Sequence, residues 1–343
     1  MADVLITGGA GYIGSSIASA CEDAGLAPVI IDNLSTGRPE FVAERAFHRG
    51  DFADRDLLRA VFAAHPAIRG VIHCAALIDV AESVERPAAY YRENVAKTIE
   101  LADELAALGC TRLIYSSSAS VYQADTGLEV DESSPLRPSS PYARSKWIAE
   151  TVLTDIAQAS PLRTLSLRYF NPIGADPKLR SGMPSLTPTH VLGRLLSAGR
   201  SGEAFVINGT DWPTRDGTPV RDYIHVFDLA EAHVAALTRF DEAVGAAGAA
   251  GAGTGAAVIN LGTGRGTTVR ELLAAFQAES GMQLTVIEGP RRPGDVAGCV
   301  ASFRTAHELL GWTPTRSIAQ AIRDALDWLT TWRAQQEGAG RPT

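Results

Sequence analysis

The chain has 343 residues, 45% hydrophobic and 20% charged, with 31 basic against 39 acidic side chains and a net charge of −8. That apolar content excludes a disordered chain, and the length predicts roughly two domains whose cores need neither disulfides nor metal. The acidic balance, without any run of Lys and Arg, argues against a nucleic-acid partner. The four cysteines are scattered with no C-x-x-C pair, which speaks against a disulfide framework or zinc site and fits a reducing cytoplasm. Met1-Ala2-Asp3 runs into an apolar strand without a basic leader, and no stretch approaches the ~20 apolar residues of a membrane span. A cytoplasmic chain without a membrane partner is expected.

Strands are expected at 4–7, 28–32, 70–73, 112–116 and 164–169, with a further one ending at Gly50-Asp51-Phe52. Amphipathic stretches at 12–24, 54–64, 87–108 and 141–157 read as helices between them. Nearly continuous apolar strands alternating with helices predict an α/β fold, a doubly wound parallel sheet of the Rossmann type. Beyond Asn171 the pattern changes to a loop at 172–185, a helix at 189–199, a strand at 204–208 and a strand-then-helix at 223–240. A strand at 257–261 and helices at 268–280, 305–310 and 318–331 follow. The expected division is a sheet domain from 1–171 plus about 221–262, and a smaller mixed α/β C-terminal lobe from about 172–220 plus 263–343. The Ala/Gly-rich run 245–257 reads as a flexible surface insertion.

Thr7-Gly8-Gly9-Ala10-Gly11-Tyr12-Ile13-Gly14 follows the first strand and opens the first helix. It satisfies both G-x-G-x-x-G and G-x-x-G-x-x-G, a pattern that turns tightly and lets a pyrophosphate approach the helix N-terminus. Asp32 ends the next strand, where a carboxylate accepts hydrogen bonds from a ribose diol and repels a 2′-phosphate. NAD is therefore expected over NADP. Asp51, past the third strand, stands where an acid meets the adenine.

Tyr142 and Lys146 follow Ser139-Ser140-Pro141, a helix-start signal, and at i, i+4 they share one helix face. An ammonium beside a phenol is expected to favour phenolate, a general base toward an alcohol. Ser116-Ser117-Ser118 ends a preceding strand. A hydroxyl there can bond both the tyrosine and a substrate oxygen.

These motifs, with Arg168-Tyr-Phe-Asn-Pro172, resemble the extended short-chain dehydrogenase/reductase family. Within it, Asp32-Asn-Leu-Ser-Thr-Gly37, Ala81-Glu-Ser-Val84, Pro213-Thr-Arg-Asp-Gly217, Val220-Arg-Asp-Tyr-Ile-His-Val226 and Arg291-Arg-Pro-Gly-Asp295 are similar to UDP-galactose 4-epimerases. The resemblance implies that NAD takes hydride from sugar C4 while Tyr142 removes the hydroxyl proton, with Ser118 in the relay. The 4-keto sugar then turns over and receives the hydride on its other face. Catalytic roles fall to Tyr142, Lys146 and Ser118. The implied NAD pocket comprises Gly8, Gly11, Tyr12, Ile13, Gly14, Asp32, Asn33, Ser35, Thr36, Gly37, Asp51, Phe52, Ala75, Ala76, Asn94, Ser116, Ser117, Tyr142, Lys146, Tyr169 and Phe170. The implied sugar-nucleotide site comprises Ser118, Ser120, Tyr142, Asn171, Ser185, Leu186, Asn208, Arg221, Tyr223, Arg292, Asp295 and Cys299. No metal is expected, and a homodimer is implied.

The chain also departs from that pattern. Ile78 replaces a lysine that often grips the cofactor, Asn208 stands where an aromatic or apolar residue stacks on uracil, and an Asn-Asn-Leu is shortened to Ser185-Leu186. Cys299 falls where a tyrosine closes the pocket of enzymes restricted to plain hexoses, so room for an N-acetyl group is expected. A UDP-glucuronate 4-epimerase is the nearest alternative, with Ser185 and Thr187 to meet a carboxylate. A sugar-nucleotide dehydratase would want a carboxylate after Ser118, which Ala119-Ser120-Val121-Tyr122 lacks. A non-catalytic NAD-binding regulator would not need the Tyr/Lys pair.

Overall fold

The computed structural model describes residues 3–122, 129–183, 190–247, 255–291 and 296–338. In chain order its elements begin β1 (Asp3–Thr7), α1 (Tyr12–Asp23), β2 (Ala27–Asp32), β3 (Ala46–Arg49), α2 (Arg55–Ala64), β4 (Ile68–His73), α3 (Val80–Glu85), α4 (Pro87–Tyr91), α5 (Lys97–Ala107) and β5 (Arg112–Ser116). Then come β6 (Glu129–Val130), α6 (Pro141–Ala159), β7 (Arg163–Tyr169), β8 (Asn171–Ile173), α7 (Val191–Ser201), β9 (Phe205–Asn208), β10 (Val220–His225), α8 (Val226–Thr238) and α9 (Phe240–Ala247). The remainder is β11 (Ala256–Leu261), β12 (Gly266–Thr268), α10 (Val269–Ser280), β13 (Val286–Gly289), β14 (Gly298–Ala301), α11 (Arg304–Leu310) and α12 (Ile318–Gly338).

Seven strands form one parallel sheet in the order β11-β7-β5-β4-β1-β2-β3. Side chains alternate across it. Ile6, Ile30, Ile72 and Ile114 pack with Ile17, Leu229 and Ala236 on the side of α1 and α8. Leu5, Val29, Val71, Leu113 and Tyr115 pack with Leu58, Leu101, Leu105 and Leu153 of α2, α5 and α6. Burial of both faces is why these strands read as unbroken apolar runs. Strand order reverses between β1 and β4, so their carboxyl ends open a crevice.

A second sheet, β12-β10-β14-β6 with β8 paired to β10, bridges toward the lobe, and β9 pairs with β13. The lobe core gathers Leu192, Leu195, Phe205, Ile207, Tyr223, Phe276 and Ile322.

The observed chain differs from expectation at four places. Strand 220–225, expected within the sheet domain, belongs to the second sheet, where it is joined by the two-residue β6 that the sequence did not suggest. The short β8 runs into the expected loop 172–185, held by its pairing to β10 and by Ile173 in the lobe core. The expected helix 87–108 is interrupted by a π turn at Arg92–Ala96. Segment 304–316, expected in the lobe, packs on the large sheet: Leu310 and Trp312 join its core, and Trp312 Nε1 donates to Asp228 O at 3.0 Å. No helix among the described residues is long and apolar enough to cross a membrane.

Candidate active site

The loop after β1 is shaped by close contacts. Gly8 adopts φ 73°, and a Cβ there would lie 2.7 Å from Ala75 N; a Cβ on Gly14 would lie 2.2 Å from Gly8 O. Only glycine serves at both positions. Gly11 caps α1 without a side chain, and the first turn of α1, which includes Tyr12 and Ile13, carries no acid. The amides there keep their positive end for an anion. Ala75 and Ala76, just past β4, border this loop. The Tyr12 side chain turns elsewhere: its hydroxyl donates to Gly174 O at 2.7 Å and its ring stacks parallel to His190. Any cofactor contact of Tyr12 therefore falls to its backbone.

Asp32 accepts from Ala10 N at 3.0 Å through Oδ2 and from Leu34 N at 2.8 Å through Oδ1. Asn33 Oδ1 accepts from Ser35 N, and a Cβ on Gly37 would touch Asp32 Oδ1 at 2.9 Å. The run Asn33, Ser35, Thr36, Gly37 thus folds over the carboxylate. Asp51 lies just past β3, its Oδ2 accepting from Lys97 Nζ at 2.6 Å, and Phe52 packs on His73 at 4.7 Å. Asn94 sits in the π turn and is buried. It accepts from Leu77 N (2.8 Å) and donates to Leu77 O (2.9 Å) and Ser145 Oγ (3.0 Å). The turn aims it across to α6, so its first role is to brace the loop after β4 against the catalytic helix.

Ser140 Oγ accepts from Ala143 N at 3.1 Å with Pro141 in the first turn, starting α6 where the sequence predicts. Tyr142 and Lys146 are both buried. Lys146 Nζ donates to Ser116 O at 2.8 Å and lies 4.9 Å over the ring of Tyr115. Burial lowers its pKa to about 8, against the pull of Cys74 and Glu150. Burial raises Tyr142, and a hydrogen bond from Ser118 opposes that. The phenol is thus shifted by burial and Ser118, and Lys146, expected to lower it, instead bonds Ser116 O and faces the Tyr115 ring. Ser118 Oγ also accepts from Ser120 N at 3.2 Å.

The three serines diverge. Ser116 Oγ bonds Cys74 Sγ (3.3 Å) and His233 Nε2 (3.4 Å), and it pulls down the phenol of Tyr169, which burial otherwise raises. Ser117, expected at the cofactor, instead donates to Glu150, inside a buried network with Arg168. Strand alternation at the end of β5 sends its side chain under α6. Phe170 N donates to Leu261 O at 3.1 Å, anchoring the backbone beyond β7.

On the substrate side, Asn171 Nδ2 donates to Asp222 O at 3.1 Å, Tyr223 lies opposite Asn171 in the β8–β10 ladder, and Arg221 lies opposite Cys299 in the β10–β14 ladder. Arg221 Nη1 donates to Val220 O and Val296 O. Ser120 Oγ is buried with no hydrogen-bond partner among the described residues. Cys299 packs on the Val121–Tyr122–Phe170 cluster, and burial pushes its thiol up to about 12. Asn208 ends β9 at the lobe edge, its Nδ2 donating to Val206 O at 3.4 Å. Ser185, Leu186, Arg292 and Asp295 lie outside the described residues. No group of three His, Cys, Asp or Glu side chains among the described residues could hold a metal.

Residues 4–249 match the model of the NAD-dependent epimerase/dehydratase family. The chain belongs to that family. It is 40% identical to a UDP-glucose 4-epimerase of Rhizobium meliloti (strain 1021), over 95% of this chain and 96% of that protein. A UDP-glucose 4-epimerase from Stenotrophomonas maltophila, solved with bound NAD and formylated UDP-arabinopyranose, superposes with a TM-score of 0.90. Its identity is 34%, covering 97% of this chain and all of that one. The Brucella ovis UDP-glucose 4-epimerase in complex with NAD is 38% identical with a TM-score of 0.87, covering 96% and 98%.

Three features of this family member escaped the reading of its sequence. Asp222, between Arg221 and Tyr223, is buried and accepts from Thr263 N and Oγ1, Gly264 N and Ala301 N. It ties β10 to β14 and to the turn after β11. Period-2 alternation within 221–223 was the available signal. His233 accepts from Ser116 while its Nδ1 donates to Leu229 O, and burial lowers it to about 4. Tyr115 beneath Lys146 reads in sequence as one more core residue.

Proposed function

We infer that the protein is an NAD-dependent 4-epimerase of nucleotide sugars, an isomerase. The observation that carries it is the buried Tyr142–Lys146 pair on one face of α6, with Ser118 favouring the phenolate and Lys146 held on Ser116 O at the carboxyl end of β5. The residues fit the cofactor: the uncapped first turn of α1 suits the pyrophosphate, Asp32 the adenosine ribose, and Lys146, with one protein acceptor, the nicotinamide ribose.

Bound NAD supplies a reversible hydride acceptor for sugar C4 and a positive ring whose charge favours the tyrosine phenolate. Tyr142 Oη would take the proton of the 4-hydroxyl and later return it, and because the hydride also goes back to C4 the overall reaction is redox-neutral. Ser118 steadies the phenolate and the substrate oxygen. Lys146 holds its neighbours in place through Ser116 O. Asn171 and Tyr223 orient the sugar, and Arg221 and Arg292 meet the diphosphate with charge-assisted bonds. Because Cys299 is small and Ser120 offers an unpartnered hydroxyl, the sugar site accommodates a C2 substituent such as N-acetyl. The active unit is a cytoplasmic homodimer, a reading supported by the family resemblance and by exposed Trp147 on α6.

Purified protein, without added cofactor, is incubated with UDP-glucose, UDP-N-acetylglucosamine and UDP-glucuronate, and C4 epimers are resolved by NMR. Epimerisation on retained NAD is expected. A requirement for stoichiometric NAD would make the protein a net dehydrogenase.

A further inference from the structure

Lys146 is a buried ammonium with three N–H donors and, among the described residues, one acceptor, Ser116 O. A buried charge with so few partners needs another source of stabilisation. It has one: the face of Tyr115, 4.9 Å from Nζ to the ring centroid, itself 1% exposed. The ring packs against His73, at 5.8 Å, which in turn packs at a tilt against Phe52 at 4.7 Å. The Tyr115 hydroxyl is buried and has no hydrogen-bond partner among the described residues. An unpaired phenol in a core costs stability, so the ring, not the hydroxyl, is the useful part of this side chain.

We propose that Tyr115 is a positioning residue for the reaction, its π face holding the Lys146 ammonium charged and in register with Tyr142 and Ser118. The proposal rests on the epimerase reading for its catalytic consequence, but the state of Lys146 is measurable without it. The groups around Lys146 are Ser116 on β5, His73 at the end of β4 with Cys74 next to it, Glu150 and Tyr142 on its own helix and, through Ser116, Tyr169 on β7 and His233 on α8. Cys74 and Glu150 favour the ammonium, and burial disfavours it. His73 sits between Thr7 Oγ1 and Thr98 Oγ1 with its pKa lowered to about 3, so it stays neutral and adds no charge. Removing the negative ring face takes away a term that raises Lys146, so its deprotonation moves to lower pH.

The chain has three lysines, Lys97, Lys146 and Lys178, and two of them are partly exposed and paired with carboxylates. Selective [13Cε]lysine NMR of NAD-free protein therefore resolves the Lys146 titration. The phenylalanine, 4-fluoro-, 3,5-difluoro- and 3,4,5-trifluorophenylalanine variants at position 115 weaken the ring face stepwise at nearly constant shape. The Lys146 midpoint is expected to be unchanged in Tyr115→Phe and to fall with each fluorine, by about one unit or more at the end of the series. The alkaline limb of kcat/KM for the epimerisation should follow it, with a loss of about tenfold or more in Tyr115→Leu. Tyr115→Phe should unfold no earlier than wild type on heating. A flat midpoint across the fluorinated series overturns the proposal, as does a Tyr115→Phe shift equal to that of Tyr115→Leu. If wild type shows the NMR series but no epimerisation, the functional reading fails and the placement of Lys146 stands.

Discussion

Two buried cations are tied to α6 in opposite ways: Lys146 is part of the helix, and Arg168 of β7 bonds Glu150, one turn further along it. Arg168 is ion-paired: Nε and Nη2 bond the Glu150 carboxylate, Nη1 donates to Tyr122 Oη at 2.7 Å, and Cζ lies 5.0 Å from the Tyr122 ring centroid. Tyr122 in turn donates to Asn260 Oδ1 at 2.9 Å, joining β7 to β11. Lys146 makes one carbonyl bond and rests on a ring. The structural charge is neutralised by a carboxylate bonded directly to it, whereas the working charge bonds a neutral carbonyl and keeps donors for a ligand. The contrast separates scaffold from site within a few residues of one helix.

The sharpest test of that contrast removes the base. Tyr142→Phe is expected to lower kcat by about 10³-fold or more while NAD stays bound, read by epimer NMR and by cofactor absorbance. Full activity would reassign the base. Lys146→Met should likewise cost activity, yet leave unfolding in urea no worse, because it removes an underpaired buried amine.

Glu150→Ala should do the reverse. It strands the Arg168 guanidinium, whose side chain is 5% exposed, and should cost ~3–5 kcal/mol in urea unfolding. Equal stability losses in Lys146→Met and Glu150→Ala would erase the distinction between the two sites.

A smaller effect comes from pH. Burial lowers His73 to about 3 and His190 and His233 to about 4, from an ordinary 6.5. The unfolded chain then binds more protons than the folded one below about 6.5, so stability present above that pH is lost as acid is added. At pH 5.5 each neutral histidine should cost ~1 kcal/mol of the stability seen at pH 7.5. His233→Gln should flatten its share of that slope, and an unchanged acid profile would show that its environment accommodates the charge. The smallest change concerns selectivity: Cys299→Tyr should depress turnover of UDP-N-acetylhexosamines more than of UDP-hexoses, by a few-fold in the rate ratio. Equal effects on both substrates would remove Cys299 from the substrate site.

Much of the site was legible because its signals are local. Gly8, Gly11 and Gly14 report a backbone requirement, and Tyr142 and Lys146 share a helix face by spacing alone. What escaped is non-local. Nothing in Ser116-Ser117-Ser118 tells that the middle hydroxyl turns to Glu150 while its neighbours turn to His233 and Tyr142, because that depends on which elements flank β5. Tyr12 kept its place in the glycine loop, but its side chain is claimed by Gly174, 162 residues away. Trp312 reads as part of the C-terminal lobe until the Asp228 carbonyl, from α8, takes its indole.

The sequence by itself determined the parallel sheet, the helix starts and the cofactor turn, since apolar period, capping residues and glycine sterics act within a few positions of the chain. Only the tertiary structure decided which charges are paired and which stay available, because pairing depends on partners brought from distant strands into a medium that punishes any left alone. Arg168 and Lys146 look alike in the sequence as isolated basic residues. Folding makes one a strut and leaves the other poised over Tyr115.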